Sequence, residues 1–139
     1  MKNIINRLSL VVITLAIALL LMVFYCLFYP YNPLEVVGPM EILSENVHKG
    51  DMVEYKVVFC KNTDKQATIT RELVNDFHFT YSAVKTNNEV GCQEALLHLL
   101  IPEFAPAGEY KIRTTAAYKM NTIRDMEVVY ESETFMVEE

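Results

Sequence analysis

Glu109–Met120 reads EYKIRTTAAYKM, and its two-residue period decides what kind of domain this chain builds. Tyr110, Ile112, Thr114, Ala116 and Tyr118 alternate with Lys111, Arg113, Thr115, Ala117 and Lys119. Successive side chains of a strand point to opposite faces, so the pattern predicts one buried face and one basic, solvated face. A helix would instead gather every third or fourth residue into an apolar stripe, and none is visible here.

The same period recurs along the chain. Asp51–Cys60 sets Val53, Tyr55, Val57 and Phe59 against Met52, Glu54, Lys56 and Val58. Further extended segments are expected at Leu34–Leu43, Gln66–Val74, Asp76–Val84, Cys92–Ile101 and Asp125–Val137. Turn residues separate them at His48–Gly50, Asn62–Asp64, Asn87–Gly91, Pro106–Gly108 and Asn121–Thr122. Pro39 cannot donate to a ladder, which suits an edge strand or a crossing between sheets. Seven short strands in about 100 residues predict an all-β, antiparallel sandwich.

Ahead of this domain lies Leu8–Tyr29, LSLVVITLAIALLLMVFYCLFY, uncharged and almost continuously apolar. As a helix it would be about 33 Å long, enough to cross a bilayer core of roughly 30 Å. Lys2 and Arg7 flank it on one side, while Tyr29–Leu34 on the other has no basic residue. The positive-inside rule places residues 1–7 in the cytoplasm, a transmembrane signal anchor at 8–29, a linker at 30–33 and an extracytoplasmic domain at 34–139. Phe24, Tyr25, Phe28, Tyr29 and Tyr31 would sit at the outer headgroup level. A cleaved secretion signal would have a shorter apolar core ending in small residues, where this chain has bulky FYCLFY. Cys26 is preceded by Tyr25, not by the small residue of a lipoprotein site, and reads as an apolar-face cysteine.

Removing Lys2 and Arg7 from the 12 basic residues leaves 10 against 18 acidic ones, a net of −8 beyond the span. That balance argues against nucleic acid and anionic headgroups as ligands. About 107 residues follow Asn32, enough for one compact domain and too few for two.

Ile101-Pro102 and Pro106-Ala107-Gly108-Glu109-Tyr110 resemble the corner between two strands in immunoglobulin-like and fibronectin type III-like sandwiches. The resemblance spans residues 34–137 and is one of pattern. It implies that Tyr110 is a structural corner residue whose hydroxyl bonds back to the preceding backbone. Two departures separate the chain from antibody-type domains: it has no Trp, and Ile112 stands where those domains carry a second disulfide cysteine.

In that topology Asp51–Cys60 and Cys92–Ile101 are antiparallel neighbours, and a Cys60–Cys92 disulfide sets their register. Met52 then opposes Leu100, Lys56 opposes Leu96 and Val58 opposes Glu94, while Val53, Tyr55, Val57 and Phe59 meet Leu99, Leu97, Ala95 and Gln93. Buried positions land on buried positions, which supports the pairing independently. Directly opposed residues have Cα atoms about 4.5–5.5 Å apart, within a disulfide's reach, and the bond persists on the oxidising side of a membrane.

Catalytic signals are few. His48, His78 and His98 lack any metal-ligand spacing, and no C-x-x-C, Gly-rich phosphate loop, G-x-S-x-G motif, calcium loop or Asn-x-Ser/Thr acceptor occurs. Membrane-anchored copper carriers also use immunoglobulin-like domains, but the methionines Met22, Met40, Met52, Met120, Met126 and Met136 are scattered, and soft-metal sites need close ligands. The expectation is a module without enzymatic activity or cofactor, displayed from the lipid bilayer in a bacterial or phage envelope. Its protein partner would meet the outward face formed by Met52, Val58, Leu96 and Leu100. The alternative is a membrane-tethered metallochaperone or small envelope enzyme.

Overall fold

The computed structural model describes residues 2–29 and 31–139. Two compact units are present, Met1–Tyr31 with Asn121–Arg124, and Asn32–Met120 with Asp125–Glu139.

The first unit is built on α1, Lys2–Phe28. Its apolar stretch Arg7–Phe28 is long and apolar enough to cross a membrane. The helix begins at Lys2 and not at Leu8, because nothing in the basic N-terminal turn breaks it. Thr14, a polar interruption of the apolar run, folds its hydroxyl onto the Leu10 carbonyl at 2.8 Å. Tyr29 leaves the helix just before Pro30 in sequence, as the residue before a proline tends to do. Ring pairs one turn apart stack at this end, Phe24 with Phe28 at 4.5 Å and Tyr25 with Tyr29 at 4.8 Å. Of the expected cytoplasmic segment and linker, Met1 and Pro30 lie outside the described residues.

The second unit is β throughout. One sheet is centred on β4 (Met52–Lys61), flanked on one side by β8 (Gly91–Leu100) and on the other by β1 (Leu34–Val36) and β2 (Glu41–Ile42), all antiparallel to it. The other is centred on β9 (Gly108–Lys119). β5 (Ala67–Val74) pairs with β9 and carries β6 (His78–Thr80) and β7 (Val84–Thr86) on its far side. β10 (Asp125–Glu131) and β11 (Phe135–Glu138) also pair with β9, and β3 (Val47–His48) joins β11 in parallel.

Inward side chains of both sheets form one hydrophobic core. Val53, Tyr55, Val57 and Phe59 of β4 and Leu99 of β8 meet Leu73 of β5, Tyr110, Ile112, Ala116 and Tyr118 of β9, and Val137 of β11. Tyr55 and Met40 are fully enclosed and supply large side chains in a core without tryptophan.

Four of the seven expected segments are single strands, β4, β5, β8 and β9; the other three are divided. Leu34–Leu43 breaks at Gly38, whose φ of +79° suits glycine, and at Pro39. Beyond the break Met40 bridges to Ser132, and β3 pairs with the second sheet, so the N-terminal edge crosses between layers. Asp76–Val84 becomes β6 and β7, because the registers Thr80 with Glu72 and Val84 with Ile69 leave one extra residue on this strand. Asp125–Val137 becomes β10 and β11, because the registers Glu131 with Arg113 and Phe135 with Tyr110 leave one extra residue on this strand, a bulge.

Candidate functional site

β4 and β8 form the longest strand pair, and the disulfide lies at one end of it. Cys60 and Cys92 are direct register partners with Cα atoms 3.9 Å apart, closer than the expected separation. From there the ladder runs through Val58 with Glu94, Lys56 with Leu96, Glu54 with His98 and Met52 with Leu100. The alternation of β4 and β8 turns these side chains away from the core.

On this outward face Met52 is 59% exposed, Leu96 54% and Leu100 53%. Val58, Glu54 and Lys56 are half-buried. Lys56 binds Glu41 of β2 at 3.0 Å, and that hydrogen bond raises the lysine's pKa. At the Met52–Leu100 end, the Tyr81 hydroxyl donates to the Leu100 carbonyl at 2.7 Å. The face is therefore a stiff strand pair with apolar side chains standing among charges of both signs. Its chemistry suits burial against another surface.

The corner residue Tyr110 is buried, and its hydroxyl donates to the Pro106 carbonyl at 2.7 Å. Burial raises its pKa, so it serves as a neutral donor. The histidines are dispersed: His78 lies on β6, His98 on β8, and His48 near Asp51 at 3.3 Å and Glu138 at 3.7 Å. Among the described residues, no three His, Cys, Asp or Glu side chains gather to hold a metal ion.

Two residues absent from the sequence-based expectations stand out on the inward side. Lys61 continues the buried parity of Val53, Tyr55, Val57 and Phe59, and Arg71 continues that of Ala67 and Ile69. Strand parity alone could have identified both. Their charge argued for the opposite assignment, since lysine and arginine are rarely buried unpaired.

In comparisons with known proteins, the chain matches no protein-family model and no curated protein sequence.

Proposed function

We propose that the protein is a single-span, membrane-anchored display module whose β-domain, outside the membrane, binds a protein partner through the outward face of β4 and β8. The observation that carries this reading is the directly opposed Met52–Leu100 pair, with Leu96 further along the same face beyond Glu54 and His98, each of the three more than half exposed on a strand pair pinned by a disulfide. Exposed apolar side chains interleaved with charged ones on one strand pair suit a mixed protein interface. The disulfide favours an oxidising compartment, and the N-terminal apolar helix supplies the anchor.

The domain is best read as an immunoglobulin-like sandwich. On this reading the first sheet, β8-β4-β1/β2, would take the E-B-A places of that superfamily and the second, β6/β7-β5-β9-β10/β11, the C′-C-F-G places. A bacterial or phage envelope suits a short module of this kind.

The test is site-specific photocrosslinking in cells from position 96, with position 129 on β10 as the control. The expected result is one discrete adduct from position 96 that disappears on Leu100→Glu, while the melting temperature stays within a few degrees of the parent. A large loss of stability in Leu100→Glu would show that this face is covered by the protein itself, and the partner site would lie elsewhere.

A further inference from the structure

A cavity of about 160 Å³ lies between the two sheets. Val57, Phe59 and Leu97 wall it from one sheet, and Ile69, Tyr118 and Tyr130 from the other. Lys61 and Arg71 also line it, and no carboxylate does.

Both cations face this cavity without a carboxylate partner. Lys61 is 2% exposed, and its ammonium donates to the Asn88 main-chain carbonyl at 2.6 Å. Arg71 Nε is buried without a protein acceptor. Close to it, Tyr55 Oη is also buried and completes no well-formed hydrogen bond. Burial raises the Tyr55 pKa, and the Arg71 guanidinium draws it partly back. Neither cation has an ion-pair partner among the described residues, whereas Lys49, Lys56 and Arg113 do. Lys56 takes Glu41 at 3.0 Å and Arg113 takes Glu131 at 2.8 Å. Even Glu72, the residue after Arg71, is within 4.0 Å of Arg113. A chain with 18 acidic residues thus places no carboxylate against its two core-facing cations. Isolated buried charge is among the most expensive arrangements a core can hold, and a buried donor left unpaired calls for a partner.

The chemistry of the walls defines that partner. A guanidinium, an ammonium and phenolic hydroxyls are donors. Tyr130, its pKa pushed up to about 12 chiefly by burial, keeps its proton. A carboxylate is acceptor-only, and its plane matches the guanidinium fork. The rest of the wall is aliphatic and aromatic. The volume is close to the ~150 Å³ of an engineered apolar cavity that holds benzene.

We propose that this cavity binds a small organic anion, a monocarboxylate on a compact apolar body of about six carbons, with Arg71 and Lys61 holding the carboxylate and Val57, Phe59 and Leu97 holding the body. The site is independent of the outward face of β4 and β8.

The full chain, purified in a neutral detergent, is titrated with sodium benzoate and sodium hexanoate while its melting temperature is followed. Benzyl alcohol and hexanol serve as neutral counterparts, and sodium chloride matches the ionic strength. The expected result is a saturable rise for the carboxylates, about 10 °C at roughly 100 times Kd, with affinity about tenfold or more above the alcohols. Ala95→Leu, which narrows the cavity from β8, and Arg71→Met, which keeps the stem and removes the charge, should each weaken carboxylate binding about tenfold or more. Without ligand, Arg71→Met should melt no lower than the parent, because a half-buried guanidinium whose Nε lacks an acceptor has gone. If Arg71→Met fails to fold, Lys61→Met carries the same comparison. The proposal is overturned if the alcohols stabilise as well as the acids. It is equally overturned if no saturable carboxylate shift appears, or if carboxylate affinity survives loss of the cation in the folded variant.

Discussion

Ser132 and Ile112 are bonded to each other twice. The Ile112 amide donates to Ser132 Oγ at 2.9 Å, and the Ser132 amide donates to the Ile112 carbonyl at 2.8 Å. The hydroxyl replaces a ladder partner at the place where β10 gives way to β11, so the bulge is closed without leaving the Ile112 amide unpaired. Ser132→Ala should therefore destabilise the domain by about 1–3 kcal/mol, the cost of a buried donor without an acceptor. Thermal melting checks this, with a fall of about 4–8 °C expected per kcal/mol in a domain of this size. A parent-like melt would mean that the bulge is not held by this hydroxyl.

Tyr110 separates a hydrogen bond from a packing contribution. Its ring lies 6.5 Å from that of Phe135, and its hydroxyl reaches Pro106. Tyr110→Phe should cost on the order of 1–2 kcal/mol through the lost bond. Tyr110→Ala should cost about 3–5 kcal/mol, since a core aromatic goes with it. Denaturant titration of the two variants reads both values, and equal losses would contradict this division.

Much of the architecture was legible because strand parity and burial agree. In β4, β5, β8 and β9 the alternating residues name the buried face, and Cys60 with Cys92 sets a register that the structure repeats pair by pair from Cys60–Cys92 to Met52–Leu100. The broken strands were less legible for a physical reason. Pairing is interrupted at Ser132 through a bond to Ile112, 20 residues away, which no local window contains. Gly38-Pro39 did carry a local signal, and the sheet crossing beyond it followed. The outward face of Met52, Leu96 and Leu100 could be read from parity. Lys61 and Arg71 were missed because charge type and parity disagreed at those positions, and parity was the better guide.

Two other tyrosines should report on the core in alkali. Burial pushes Tyr81 and Tyr130 up to about 12, from an ordinary value of 10.0. Each folded-state pKa is raised, so the associated stability is fully present below pH 10. It falls as the unfolded chain ionises and is lost as pH rises through about 12. Absorbance at the phenolate band should show Tyr81 and Tyr130 titrating late, together with the other buried tyrosines Tyr55, Tyr110 and Tyr118, whose pKa burial also raises, and stability measured between pH 9 and 12 should decline across that window. Tyr130→Phe should remove part of the decline. Ionisation of every tyrosine near pH 10 without unfolding would contradict the buried placement.

The disulfide gives a prediction that does not depend on the partner. Its cysteines are 32 residues apart, and closing such a loop stabilises by roughly 3–4 kcal/mol in the chain-entropy account. Cys60→Ala with Cys92→Ala should lower stability by about that amount. Alkylation under denaturing, non-reducing conditions should label Cys26 and leave the pair untouched. Labelling of Cys60 and Cys92 in protein taken from its native compartment would place the domain on the reducing side.

Orientation follows from charge. Lys2 and Arg7 stand before the apolar run, and no basic residue occurs between Leu8 and Lys49. Basic residues beside a span resist translocation, so Met1 should stay inside and Glu139 should be outside. Protease added to spheroplasts should then reduce the molecule to a short membrane-embedded fragment and remove a C-terminal tag. Lys2→Glu with Arg7→Glu should weaken this preference and produce a protected population. That population should also lack the Cys60–Cys92 bond, because its domain would face reducing conditions. Full protection of the tag in the parent protein would reverse the topology and, with it, the compartment in which a partner could meet Met52, Leu96 and Leu100.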